Sequence, residues 1–138
     1  MTHEAKRDIV ARIAAGADSV GVDEIYIVDE PFRIASMALD WMPLKAKVVR
    51  LGIELHHDAT DTERAVRAFV GEGVEVIVSL GGDGTNRIIA RSAPQMELIP
   101  LSTGTNNVFP SMVEPTTAGV VAALAARGRF SDDAARGI

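Results

Sequence analysis

Apolar positions recur at two different periods along this chain, and their alternation predicts the order of its elements. Ala5, Ile9 and Ile13 stand four apart with Glu4, Lys6, Arg7, Asp8 and Arg12 between them, which predicts an amphipathic helix over 3–15 ending near Gly16. Ile25 to Val28 is short, apolar and flanked by acidic residues, the mark of a strand. Residues 32–41 read as a helix with Ile34, Met37, Ala38 and Trp41 on one face and Pro43 closing it. After Lys47, Val49, Leu51, Ile53 and Leu55 alternate with Arg50 and Glu54, as an edge strand with one wet face would. Thr60-Asp61-Thr62-Glu63 has capping-box spacing and opens a helix through Val66, Phe69 and Val70 that Gly71 and Gly73 end. Residues 74–80 are apolar apart from Glu75 and Ser79, which predicts a strand covered on both faces. Ile88 and Ile89 suit a short helix, 98–101 a fourth strand, and 115–127 an Ala/Val-rich helix stopped by Gly128. Helices and strands alternate, so the expected class is α/β: three layers, α/β/α, around a mostly parallel sheet.

Composition narrows the function classes. A chain of 138 residues suits one domain, and 47% hydrophobic with 24% charged residues is a globular balance. The formal net charge of −5 offers no general attraction to a phosphate backbone, so nucleic acid is not an expected partner. The absence of cysteine removes disulfides, thiolate nucleophiles and Cys-based zinc sites, and fits a reducing cytoplasm. The longest apolar run, Val120 to Ala126, is far short of the roughly 20 residues of a membrane span. Residues 2–8 are polar and mixed in charge, unlike an export signal, so a cytoplasmic protein with no membrane partner is expected.

Two loops carry candidate chemistry, each at the carboxyl end of a predicted strand, where parallel sheets gather ligands. The first is Gly81-Gly82-Asp83-Gly84-Thr85-Asn86, in which three glycines let backbone amides approach phosphate oxygens. Its one carboxylate, Asp83, repels bare phosphate, and makes chemical sense if it takes a proton from an attacking hydroxyl or faces a metal-bound phosphate. The alternative is that Asp83 only caps the helix that follows. No Lys follows the glycines, so this is not a P-loop, and Arg87 occupies the third glycine of the dinucleotide fingerprint. Arg87 and Arg91, one helical turn apart, can supply positive charge to a triphosphate or simply be solvated. The second loop, Ser102-Thr103-Gly104-Thr105-Asn106-Asn107, offers uncharged hydroxyls and amides suited to a ribose, a base edge or a phosphate.

Taken together, residues 80–87 and 100–110 resemble the ATP-NAD kinase family, nearest the branch that includes acetoin-catabolism protein X. The wider superfamily holds diacylglycerol, sphingosine and 6-phosphofructokinases, which share a GGDG[TS]-type loop. The resemblance implies a Rossmann-like amino-terminal domain and ATP-dependent phosphorylation of the 2′-hydroxyl of the adenosine ribose of NAD, giving NADP. By that resemblance Asp83 is the general base, and Gly81, Gly82, Gly84 and Thr85 hold phosphates. Asn86, Thr103, Gly104, Thr105, Asn106 and Asn107 line the nucleotide site, and magnesium arrives with ATP. Small-molecule nucleotides and a second copy of the chain are the expected partners. Family members begin with a strand running into an Asn-Pro turn and continue into a β-rich domain with an Asn-Glu or Asn-Asp pair. This chain has no Asn-Pro, and its asparagines are Asn86, Asn106 and Asn107. The expected organisation is therefore a nucleotide-binding domain over 1–130, lacking that first strand, and a tail or the start of the β-rich domain over 131–138. Two other readings stay open: a lipid or other small-alcohol kinase of the diacylglycerol kinase type, and a nucleotide-binding or assembly module without catalysis.

Other constellations carry less. His56-His57-Asp58 follows a strand, where adjacent side chains point to opposite faces, so a shared metal ion is not expected. Asp132 and Asp133 read as a solvated pair, and Trp41 and Met42 as core or interface. With histidines at 3, 56 and 57, no Ser-His-Asp triad can be assigned from spacing.

Overall fold

The structure is a computed structural model that describes residues 2–29, 32–101 and 114–126. Helix α1 (His3–Val20) opens at Thr2, whose Oγ1 accepts a hydrogen bond from the Ala5 amide at 3.0 Å. It closes at Gly21, which takes the left-handed conformation with φ of 94°. The helix thus runs past Gly16, where the sequence predicts its end. Gly16 instead serves packing, buried against the backbone of α5 (Pro115–Ala126), and Gly119 of α5 lies against the backbone of Ile13. A Cβ at either position would collide with a carbonyl oxygen of the other helix, so both glycines permit close helix–helix contact. Helix α5 is apolar on every side, the pattern of a helix buried among other elements, and buries Ala118, Gly119 and Ala123.

Strand β1 (Glu24–Val28) pairs in parallel with β2 (Lys47–Leu51), Tyr26 opposite Val49. Between them lies α2 (Ile34–Leu39), shorter than the predicted 32–41. Its fully buried Ser36 is the knot of this region: Asp29 accepts from the Ser36 amide at 3.0 Å and from its hydroxyl, and Arg50 Nε donates to that hydroxyl at 2.9 Å. Met42 packs onto the core beside β1, whereas Trp41 lies beyond the helix and is 92% exposed.

Strand β2 stops at Leu51, short of the predicted Leu55, because the next segment is organised by a carboxylate instead of a ladder. The amides of His56 and His57 donate to Asp61 at 2.8 and 2.9 Å, and Arg64 pairs with the same side chain. The predicted capping box does not form: α3 (Thr60–Gly71) has Ala59 at its N-cap with no side-chain bond, and Thr60 bonds Asp58 instead. The backbone amide of His56 is the main cause that holds the Asp61 carboxyl at about 2, below its ordinary 3.8. A depressed folded-state value means that Asp61 contributes stability fully above 3.8, and that this contribution is lost as pH falls toward about 2. Asp61→Asn is expected to lower the melting temperature at neutral pH and to flatten its decline across that acid window, as a pH series of thermal melts would show.

Strand β3 (Val76–Ser79) pairs in parallel with β4 (Glu97–Pro100), Ile77 opposite Leu98, and α4 (Asp83–Ser92) connects them. The parallel pairing matches the α/β expectation, but the described strands form two two-stranded sheets, β1-β2 and β3-β4, instead of one. The core divides likewise. Ala14, Ile27 and Leu39 form one buried cluster, and Val66, Ile77 and Ile89 another. Helix α1 packs on α2 and α5, and α3 packs on α4, so helices gather in two groups around the strands.

Candidate functional site: the glycine loop after strand three

Ser79 anchors the site. It is buried at the carboxyl end of β3, its hydroxyl accepts from the Gly81 amide at 3.3 Å, and its carbonyl accepts from the Leu101 amide at 2.7 Å. One residue therefore ties the glycine loop to the exit of β4. In the sequence Ser79 shows only as a polar break in an apolar strand; its pairing with Leu101 depends on the parallel register of β3 and β4.

The glycines of this loop are not there for unusual backbone angles. Among the described glycines only Gly21 and Gly73 have positive φ, and Gly82 sits at φ −89°, ψ −166°, which other residues adopt. Clearance is the reason instead. A Cβ at Gly81 would lie 2.5 Å from the Cβ of Thr85, so Gly81 lets the first turn of α4 fold back on the loop. At Gly82 and Gly84 nothing described lies within 4 Å of such an atom. These two positions present bare backbone to open space.

Helix α4 begins at this bare backbone. Its N-cap is Gly82, without a side-chain cap, and its first helical bond runs from the Asn86 amide to the Gly82 carbonyl at 3.0 Å. The amides of Asp83, Gly84 and Thr85 precede that bond and have no acceptor among the described residues. Asp83 is therefore the first helical residue and not the cap. Its carboxylate is exposed and has no hydrogen-bond or ion-pair partner among the described residues. Asn86 turns its Oδ1 into a buried position that lacks a described donor. Arg87 and Arg91 are both exposed, and Arg91 lies in the last turn of α4, at the end away from the loop.

The second predicted loop, with Thr103, Gly104, Thr105, Asn106 and Asn107, lies outside the described residues. Its point of departure is described: β4 ends at Pro100, in register with Ser79, so both loops leave from neighbouring strand ends. His56 pairs with Glu54, and among the described residues no three metal-ligating side chains converge.

Residues 26–130 match the ATP-NAD kinase N-terminal domain, a span that holds all four strands, apart from the first residues of β1, and the glycine loop. The chain belongs to the ATP-NAD kinase family. It carries a kinase-type domain of that family, 34% identical over 141 residues to acetoin catabolism protein X of Cupriavidus necator, a match covering 89% of this chain and 36% of that protein. It is also 30% identical over 110 residues to an uncharacterized protein of Archaeoglobus fulgidus, covering 80% of this chain and 32% of the other. The chain thus spans about a third of the length of these relatives. No solved structure matches the chain. Among the described residues no helix is long and apolar enough to cross a membrane.

Proposed function

We propose that the protein carrying this domain transfers the γ-phosphoryl group of ATP to the 2′-hydroxyl of the adenosine ribose of NAD, with the loop over 81–86 as the phosphate cradle. The observation that carries this reading is the combination at Gly82 and Gly84. Neither glycine is needed for its backbone angles or for internal packing, and beside them three free amides begin a helix. Free amides at a helix start favour an anion, and missing side chains let phosphate oxygens reach them.

Asp83 then supplies the acid–base function. In the transfer, the ribose oxygen bonds to the γ-phosphorus, the bond from that phosphorus to the bridging oxygen breaks, ADP leaves, and the hydroxyl proton passes to the Asp83 carboxylate. Phosphoryl transfer depends more on alignment and charge neutralisation than on covalent chemistry, so one carboxylate on an anchored loop serves. Asp83, an exposed carboxylate beside the phosphate cradle, fits magnesium delivered by the nucleotide, which it would face across the phosphates. The ion would supply charge neutralisation on the transferring phosphoryl oxygens.

Gly82→Ala tests the reading. The added methyl meets nothing within 4 Å in the free protein, so the melting temperature is expected to stay within a degree or two, whereas affinity for magnesium-ATP in a calorimetric titration is expected to fall at least about tenfold. Equal affinity in both proteins would remove the loop as the phosphate cradle. Product analysis with NAD, diacylglycerol and sugar phosphates as acceptors separates NAD phosphorylation from a small-alcohol kinase. Silence toward ATP, NAD and NADP would favour a module without catalysis.

A further inference from the structure

The outer face of α2 carries a stripe that the core does not use. Arg33 is the N-cap of α2 and its carbonyl accepts from the Met37 amide at 2.9 Å, so Arg33 stands one turn before Met37. Asp40, the C-cap, is still right-handed helical, so Trp41 stands one turn after Met37. Burial agrees with a shared face: Ile34, Ser36 and Leu39 turn inward, whereas Arg33, Met37 and Trp41 are exposed. Trp41 is 92% exposed and Phe32, beside Arg33, 59%. Those two aromatic side chains alone leave about 300 Å² in solvent, in a domain whose other large apolar residues are mostly covered.

The stripe is complementary to itself. Turned about a two-fold axis through Met37 it reads in reverse order, so that the thioethers meet and each Arg33 lies against the other copy's Trp41. A guanidinium over an indole face is an attractive pair, and a thioether adapts to whatever gap remains. Asp40, next to Trp41, adds an opposite charge for the same guanidinium. Within one copy Arg33 and Trp41 are two turns, about 12 Å, apart. Arg33 has only Asp29 for an ion pair there, at 4.0 Å, with the Arg33 side chain 63% exposed. The carboxylates of Asp29 and Asp40 beside this face disfavour an anionic lipid surface as its occupant.

We propose that this face is a dimer contact: two copies of the chain pack α2 antiparallel across a two-fold axis at Met37, with Arg33 stacked on the partner's Trp41 and beside the partner's Asp40. Two such faces with their polar rim reach only the lower end of specific interface areas, so the dimer is weak and reversible, with a dissociation constant on the order of 10 µM. The glycine loop follows β3, in the other pair of strands. The dimer therefore stands or falls independently of the function read from that loop.

The test exploits the absence of cysteine. Met37→Cys puts one thiol on the proposed axis, where two copies bring their thiols within disulfide reach, and Arg67→Cys puts one on the exposed face of α3 as a control for chance collision. On mild oxidation Met37→Cys is expected to form a covalent dimer at least about tenfold faster than Arg67→Cys, and adding Trp41→Ser to Met37→Cys is expected to remove that advantage. In sedimentation velocity from about 1 to about 200 µM, the mass of the unaltered chain is expected to rise toward a dimer, and Trp41→Ser and Arg33→Glu to weaken association at least about tenfold. Both residues are exposed, so melting temperatures at low concentration should not move. A chain that stays monomeric over this range overturns the proposal. So does a dimer indifferent to Trp41→Ser with equal oxidation rates at positions 37 and 67, which would place the contact elsewhere. A monomer that binds phosphatidylserine vesicles through Trp41 overturns it too, since the face would then belong to a lipid surface.

Discussion

Asp83→Asn is expected to lower phosphoryl transfer about a hundred- to ten-thousandfold, the range that general acid–base catalysis contributes, while leaving the fold and the affinity for magnesium-ATP in place. The sharpness of this expectation comes from how little else Asp83 does. It is exposed, it bonds no described residue, and the N-cap position of α4 belongs to Gly82. Its structural contribution is limited to a negative charge at the first turn of a helix, about 0.3–1 kcal/mol at an exposed site. Asparagine keeps the shape and removes the negative charge, and with it the ability to take a proton. A stopped-assay comparison of NADP formation, with melting curves and ATP titrations on the same preparations, separates the roles. Turnover equal to that of the unaltered protein removes Asp83 as the base, and a large drop in melting temperature would give it a structural role instead.

Gly119→Val is expected to be the most damaging substitution to the fold among those considered. The side chain would enter the space held by the Ile13 carbonyl of α1, and backbone cannot move aside as a flexible side chain can. Overpacking of this kind costs about 1–3 kcal/mol and sometimes more, against a total stability of about 5–15 kcal/mol for a domain. The melting temperature should fall by about 10 °C or the protein should fail to accumulate in folded form. Gly119→Ala should also destabilise, opposite to the gain of about 1 kcal/mol that Ala brings over Gly in an unobstructed helix interior. Gly71, with nothing within 4 Å of an added Cβ, supplies the contrast: Gly71→Ala should be neutral or mildly stabilising. If Gly119→Ala and Gly71→Ala shift the melting temperature alike, the close contact of α1 with α5 is not what holds these helices.

How far the fold was legible follows from which interactions are local. The period of apolar residues located the elements in order, because a helix or a strand advertises the face it buries within a few residues of itself. Their ends were less legible. Gly16 reads as a helix stop from its neighbours alone, yet it continues α1 because α5 passes against it, about a hundred residues later in the chain. Thr60 and Glu63 have the spacing of a capping box, but Asp58 takes the Thr60 hydroxyl and Asp61 the preceding amides, so nearby carboxylates outcompete the expected pair.

The candidate site divides in the same way. Composition and spacing alone determined the chemistry on offer: three glycines around one carboxylate after an apolar strand, and a second loop of hydroxyls and amides, a pattern that already resembles the ATP-NAD kinase family. The tertiary structure decided what those residues are free to do. It showed that Gly82 and Gly84 face open space, that Asp83 is not the cap, and that Ser79 joins the exits of β3 and β4. It also decided that the described strands stand as two pairs with a gap between them. Residue identity travels with the chain, whereas clearance, pairing and spacing are relations between segments far apart in it, and only folding brings them into existence.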